Sequence, residues 1–316
     1  MEKKFAQKPI GILIMALIST ALWGSAIPAI KIGYELFNIA GDDTAAKMLF
    51  AGVRFTLAGL FVITAISLMQ KKFVHPTKDN FKYTIYMGSV QTGLEYIFFY
   101  ISLTYLSGVK STIINSIGNF FAVLLAHFCF RNDKLNLRKI IGCLFGFIGV
   151  VICNTGSSGL ELSFNIMGEG FMLAAAMCFA VGSVMTKIYS KYIEPTVLTG
   201  YQLLFGGVIL LIIGIVTGGK LEFHSLKAVG LLIYLAMLSS VAFAVWSVLL
   251  KYNPVAKISV YCFLNPLFGI LFALILLEGE VFNYISLISL VLVCLGIYIV
   301  NYDKEKKEDK NEKGNI

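Results

Sequence analysis

Two side chains of opposite charge stand where an oily chain has least use for them. Glu95 lies in the middle of GSVQTGLEYIFFYISL, residues 88–103, and Arg54 lies in AGVRFTLAGL, residues 51–60. A charge at the centre of a membrane helix costs about 2.5–3.5 kcal/mol on insertion scales, so each is expected to face the protein interior. Three chemistries fit Glu95. It takes up and releases a proton, it binds the amino or cationic group of a cargo, or it pairs with Arg54 for structural reasons alone. Arg54 either grips a carboxylate through its bidentate fork or snorkels to the outer headgroups.

Polar and aromatic groups gather in the same runs. Tyr96 and Tyr100 follow Glu95, with Phe99 between them. Asn115 and Asn119 are four apart, hence neighbours on a helix surface. Asn265 precedes Pro266, where a missing N–H bends a helix and frees carbonyls. Trp23 and Ser25 stand just ahead of Pro28, and Gln202 and Trp246 supply similar groups in the second half. Each asparagine also fits a plain interhelical hydrogen bond, and the aromatics also fit packing. Both tryptophans fall too deep for the interfacial belt.

Other chemistries find no support. His75, His127 and His224 lie in separate segments, so no enzyme constellation forms and no catalytic residue is assigned. A phosphate-driven pump needs GxxxxGK[ST], which is absent. The six cysteines, Cys129, Cys143, Cys153, Cys178, Cys262 and Cys294, form no CxxC. No metal, disulfide or cofactor is therefore expected. Glu278 and Glu280 read as solvated loop charges.

The elements that hold these groups follow from composition. Of 316 residues, 58% are hydrophobic and 14% charged, against about 25% charged in soluble domains. Ten apolar runs cover residues 10–31, 47–69, 82–106, 111–130, 138–154, 166–188, 196–217, 227–250, 256–277 and 282–301. About 20 such residues cross the hydrocarbon layer as a helix, and the runs are too continuous for barrel strands. The first run outlasts a signal-peptide core and is expected to be retained.

Charge sets the orientation. With residues 1–9 inside, the inner segments hold Lys3, Lys4, Lys8, Lys71, Lys72, Lys78, Lys82, Arg131, Lys134, Arg138, Lys139, Lys187, Lys191, Lys251, Lys257, Lys304, Lys306, Lys307, Lys310 and Lys313. The outer segments hold Lys31, Lys47, Lys110, Lys220 and Lys227. That bias predicts both termini in the cytoplasm. The net charge of +8 is spread between oily runs and over the tail, not gathered on one face as in a nucleic-acid binder. Residues 303–316 read as a solvated, disordered tail.

The two halves align. YLSGVKSTIINSIGNFFAVLLAHF matches KYNPVAKISVYCFLNPLFGILFAL at an offset of 146, pairing Asn119 with Asn265. GVVICN meets GIYIVN at 147, and AGVRFTLAGL meets TGYQLLFGGV, pairing Arg54 with Gln202 and Gly59 with Gly207. Five crossings per unit is odd, so the second unit enters from the opposite side. The expected fold is an all-α membrane protein of ten transmembrane helices arranged as two inverted five-helix repeats. The units are residues 10–154 and 166–302, joined by an outer linker, 155–165. Secondary transporters share this plan, with the cargo site near midplane. Gly142 and Gly146 form a GxxxG, a close-packing signal within the subunit or between two.

The stretches ALWGSAIPAIK and FLNPLFGILFALILLEGEVFNYISLISLVLVCLGIYIVNY resemble the drug/metabolite transporter superfamily, specifically its two-domain EamA-type carriers. The resemblance spans about residues 8–303. FRNDKLN stands where the family has Gly-Glu, and NIAGDDTAAKM lengthens the first outer loop. The resemblance implies ten helices and movement of small metabolites, often amino acids. The expectation is a cell-membrane carrier exporting a small polar metabolite by alternating access, with protons as a candidate coupling ion. Its cargo site would draw on Glu95, Arg54, Trp23, Ser25, Tyr96, Tyr100, Asn115, Asn119, Gln202, Trp246 and Asn265. The expected partners are the metabolite and membrane lipid, with no nucleic acid, and the chain is a monomer or homodimer. The rival expectation is a membrane receptor or scaffold that binds a small molecule without moving it.

Overall fold

A computed structural model describes residues 2–106, 108–155, 164–223, 225–276 and 284–302, and all regular structure among them is helical. The elements are α1 (Glu2–Gln7), α2 (Pro9–Leu36), α3 (Thr44–Met69), α4 (Lys78–Met87), α5 (Glu95–Ser102), α6 (Gly108–Cys129) and α7 (Leu137–Thr155). There follow α8 (Phe171–Tyr189), α9 (Pro195–Val216), α10 (Leu226–Tyr252), α11 (Val255–Ser259), α12 (Asn265–Leu276) and α13 (Tyr284–Asn301). Seven helical segments are long and apolar enough to cross a membrane: Pro9–Leu36, Thr44–Met69, Ser111–Cys129, Ile166–Tyr189, Pro195–Val216, Leu226–Tyr252 and Val255–Leu276. A shorter apolar stretch is Leu287–Asn301. Glu278, Glu280 and the charged tail lie outside the described residues.

Helices overrun their apolar runs because capping, not hydropathy, ends them. α3 begins at Thr44 rather than 47, since Asp43 Oδ1 accepts from Ala46 N–H at 2.8 Å. α10 begins after Ser225, whose Oγ accepts from Ala228 N–H at 3.1 Å. Each cap satisfies an N–H that the helix itself leaves free. Pro9 opens α2, where its missing N–H costs nothing.

Two rods change pitch in mid-course. Between α4 and α5 the chain widens into a π-helical turn, Gly88–Leu94, directly before Glu95. Gly88 is pressed on α9, where an added Cβ would stand 2.8 Å from Gln202 O. Between α11 and α12 the chain tightens into a 3-10 turn, Val260–Leu264. There Asn265 N–H donates to Cys262 O, three residues back, and Pro266 has no N–H to continue the α pattern.

Glycines set the closest crossings. Where α3 meets α9, a Cβ on Gly59 would lie 2.5 Å from Leu204 N, and one on Gly207 would lie 2.4 Å from Thr56 N. Where α7 meets α13, a Cβ on Gly142 would lie 2.7 Å from Gly296 O, and one on Gly149 would lie 2.9 Å from Ser289 O. The GxxxG of α7 thus serves packing inside the chain: Gly146 lies under the Phe263 ring. α2 packs on α10 and α12, while α8 packs on α5 and α6.

One end of the bundle is closed by a polar knot. Asp133 is 2% exposed; its Oδ1 takes a 2.7 Å ion pair from Lys139, and its Oδ2 accepts from Ala256 N–H at 3.0 Å. Lys187 donates to Leu250 O at 3.2 Å and to Asn253 O. Asn253 Nδ2 donates to Ala6 O at 2.9 Å. The knot ties the α6–α7 loop to α8, to the α10–α11 junction and to α1.

Candidate functional site

Trp23 on α2 joins two apolar clusters, one built around Trp246 and Phe263, the other around Phe55, Tyr100 and Phe243. Its ring meets Trp246 at 5.1 Å, Phe243 at 5.3 Å and Phe179 at 6.5 Å, all in edge contacts. Phe55 meets Tyr96 at 4.5 Å, and Tyr96 lies 6.0 Å from both Phe99 and Tyr100. Edge arrangements follow the ring quadrupole and fix these side chains relative to one another.

Glu95 sits at the edge of this aromatic set, on the first residue after the π-helical turn. Its charge reaches Tyr96, Cys178 on α8 and Cys262 in the 3-10 turn. Its Oε2 is buried without a hydrogen-bond partner. So are Trp246 Nε1, Asn265 Oδ1 and Gln91 Oε1. Leaving such a group unpaired costs about 1–3 kcal/mol, more for a charged one, so each suits a bound water or a polar ligand.

Arg54 overturns two expectations. It is 2% exposed, so it does not snorkel to the headgroups. Its Nε–H donates to Ser239 Oγ at 2.9 Å, and its guanidinium covers the Phe55 ring at 4.9 Å. Among the described residues no ion pair joins it to Glu95. The structural pairing with Glu95 therefore falls, because α10 supplies a nearer acceptor.

Other expected ligands divide. Tyr100 is 2% exposed and packed among Phe55, Phe243 and Tyr34. Gln202 is 1% exposed, and its Oε1 accepts from Thr92 Oγ1 at 2.8 Å. Ser25 Oγ donates to Leu22 O at 2.9 Å and meets Tyr234 OH at 3.2 Å. These polar groups are engaged in joining helices. Asn119 is buried, but Asn115 is exposed. The buried stripe of α6 runs through Ser116, Asn119 and Val123 instead, the three-and-four spacing of a helix face. Asn115 lies off this buried stripe.

Sequence reasoning missed Gln91, Phe179 and Phe243 near the centre, and Ser239 and Thr92 as partners of Arg54 and Gln202. Gln91 alone carried a signal, an amide four residues from Glu95 in an apolar run. No group of His, Cys, Asp and Glu suited to a metal occurs among the described residues. Cys129, Cys143, Cys178, Cys262 and Cys294 are free thiols.

Comparison with known proteins places this geometry in a family. A chloroplastic WAT1-related protein of Arabidopsis thaliana is 31% identical over 297 residues, covering 89% of this chain and 67% of that one. An uncharacterized transporter of Bacillus subtilis, YoaV, is 24% identical, covering 94% of this chain and 99% of its own. An uncharacterized transporter of Archaeoglobus fulgidus is 26% identical over 91% of this chain and 96% of its own. A protein of known crystal structure shares the fold at a TM-score of 0.75 with 15% identity, over 93% of this chain and 97% of that one. Residues 10–155 and 166–302 each match the EamA-like transporter family, to which this chain belongs.

Proposed function

We propose that this protein is a secondary carrier that exports a small polar metabolite, an amino acid or related amino compound, across the cell membrane by alternating access. The observation that carries the reading is the buried, unpartnered Oε2 of Glu95, set against an aromatic group with Trp246 Nε1 also unpartnered. A fold that only had to be stable would gain by removing both. A carrier keeps them because its cargo, or a proton in its absence, completes the site. One carboxylate that takes either a proton or the cargo's amino group couples the two flows by competition.

The proposed scaffold is ten spans in two inverted repeats, 10–154 and 166–302. Several contacts support it. Gly59 meets Leu204 as Gly207 meets Thr56, and each pair maps onto the other at the offset that aligns Arg54 with Gln202. Gly142 meets Gly296 as Gly149 meets Ser289, at the offset of the last spans. The proposed first span of each repeat packs on the third and fourth of the other: α2 on α10 and α12, α8 on α5 and α6. With the lysine-rich face cytoplasmic, the Asp133 knot is the inner gate, shut in this conformation.

Reconstitution tests the carrier reading. Proteoliposomes loaded with unlabelled cargo accumulate external labelled cargo by counterflow if the protein alternates access. Glu95→Gln abolishes proton-coupled uptake or flattens its pH profile. Saturable binding with no counterflow would replace the carrier by a receptor.

A further inference from the structure

α7 and α13 cross with their backbones in contact. A Cβ on Gly142 would stand 2.4 Å from Val300 Cγ2, and one on Gly296 would stand 2.5 Å from Gly142 O. One turn along α7 from that crossing, at the lysine-rich end, Arg138 meets the end of α13. Its Nη1–H donates to Tyr302 O at 3.2 Å, and its guanidinium stands 5.7 Å from the centre of the Tyr302 ring. The Tyr298 ring lies 5.6 Å from that of Tyr302. Arg138, Tyr298, Ile299 and Tyr302 line an open cavity of about 180 Å³.

The cavity is built for an anion. A guanidinium carries five N–H donors in a fork that fits a phosphate, and the bond to Tyr302 O engages one of them. The neighbouring cation, Lys139, is committed to Asp133 at 2.7 Å. Arg138 pairs with no carboxylate among the described residues. Tyr298 and Tyr302 add phenol donors to the same lining.

Apolar side chains lead away from the cavity on both walls. Ile141 and Leu144 follow Arg138 along α7 at intervals of three and are exposed. Leu295 and Val291 precede Tyr298 along α13 at intervals of three and four and are exposed too. Such spacing keeps each row on one face of its helix. Both rows run from the lysine-rich end toward the bilayer interior in the proposed ten-span scaffold. A soluble anion fills the cavity and leaves the rows bare, whereas a phosphodiester with two acyl chains covers all three. A choline headgroup would bring a second cation to the ring that Arg138 already meets.

We propose that the cleft between the start of α7 and the end of α13 holds one anionic phospholipid, with its phosphate on Arg138 and its acyl chains along the two rows. Basic pockets between membrane helices recognise such headgroups. The inference takes the depth of α7 and α13 from the ten-span scaffold and is independent of the carrier reading.

Native mass spectrometry of the full chain in detergent counts bound lipids. The probes are dioleoyl phosphatidylglycerol and dioleoyl phosphatidylcholine, which share their acyl chains, with glycerol 3-phosphate and inorganic phosphate as soluble competitors. Phosphatidylglycerol is expected to saturate one site per chain, about tenfold more tightly than phosphatidylcholine, with neither competitor displacing it. Arg138→Met is expected to remove that preference. Arg131→Met, which deletes an exposed charge at the same end but outside the cleft, is expected to leave it intact. Should Arg138→Met fail to fold, Tyr298→Ser at an exposed position is expected to weaken phosphatidylglycerol, and the wild-type comparison stands by itself. Equal losses in the two arginine variants would mean diffuse attraction to a basic end and overturn the site. Displacement by glycerol 3-phosphate or phosphate would make the ligand a soluble anion and overturn the lipid. Equal binding of the two lipids overturns the anionic headgroup. None of these outcomes bears on counterflow, so the carrier reading stands or falls separately.

Discussion

Arg54 Nε–H donates to Ser239 Oγ at 2.9 Å, across 185 residues of chain and from α3 to α10. Ser239 O–H in turn donates a hydrogen bond to Leu235 O at 2.9 Å, so the guanidinium is anchored to the backbone of α10 through one hydroxyl. Gln202, which aligns with Arg54 in the second half, is also tied to a hydroxyl, but as the acceptor: Thr92 Oγ1 donates to its Oε1 at 2.8 Å. The charged residue that seemed suited to chemistry is thereby a tie between halves, and the uncharged surroundings of Glu95 become the place where chemistry remains open.

The first prediction concerns that tie. Ser239→Ala leaves the Arg54 N–H without its acceptor in a buried position, a loss of about 1–3 kcal/mol. The melting temperature in detergent falls, while affinity for cargo at Glu95 changes less than threefold. Arg54→Lys falls as far or further, because an ammonium reproduces neither the planar contact with Phe55 nor the directed Nε–H. A cargo affinity lost in step with Arg54→Lys but not with Ser239→Ala would return Arg54 to the binding site.

A second prediction uses glycines of opposite circumstance. A Cβ on Gly207 would stand 2.4 Å from Thr56 N, whereas around Gly230 in α10 nothing lies within 4 Å. Gly207→Ala therefore destabilises by about 1–3 kcal/mol through overpacking. Gly230→Ala stabilises by up to about 1 kcal/mol through helix propensity. Melting temperatures that move in the same direction for both would refute the α3–α9 crossing.

Much of this was legible in the sequence, and the reasons are physical. Membrane helices announce themselves by uninterrupted apolarity, so hydropathy located the seven long apolar helices among the ten expected spans, and the caps at Asp43 and Ser225 account for the residues by which α3 and α10 overran. Glu95, Trp23 and Trp246 stood out because polar or bulky groups at depth need a reason. The partner of Arg54 was hidden: a serine in SSVAFAVW is commonplace, and nothing local marks it as facing α3. The π-helical turn before Glu95 was hidden too, since glycine spacing does not encode a hydrogen-bond register. Asn115 is exposed while Asn119 is buried, because four-residue spacing sets two residues on neighbouring turns without saying which edge of the stripe is covered.

A third prediction addresses orientation. Gly41 lies in the loop between α2 and α3, and Lys72 lies in the loop between α3 and α4. If the lysine-rich face is cytoplasmic, Gly41→Cys reacts with a membrane-impermeant maleimide on intact cells, and Lys72→Cys reacts only after permeabilisation. The native Cys294 is exposed but sits within the apolar α13, whereas Cys129 is exposed at the last residue of α6, so both variants are made in a Cys129→Ser background. Reaction of Lys72→Cys on intact cells would invert the assigned topology.

The last prediction concerns the inner gate. Asp133 is buried, pairs with Lys139 at 2.7 Å and accepts from Ala256 N–H at 3.0 Å, so it joins the α6–α7 loop to the start of α11. Removing one partner of a buried pair costs about 3–5 kcal/mol. Asp133→Asn falls toward the low end of that range, because Lys139 also donates to Lys134 O at 2.6 Å and keeps one partner. If the knot is the proposed inner gate, its loss shifts the population toward the state open at the lysine-rich end. A ligand that binds only from the opposite face then shows weaker apparent affinity, in proportion to the fraction of molecules still competent. The double variant Asp133→Asn/Lys139→Met recovers part of the stability, since Lys139 is no longer left without its anion, but leaves the population shift in place. Maleimide access to a cysteine placed at Ser259, buried just behind the knot, reads that shift directly. Unchanged access in Asp133→Asn would show that the knot holds the fold together without acting as a gate.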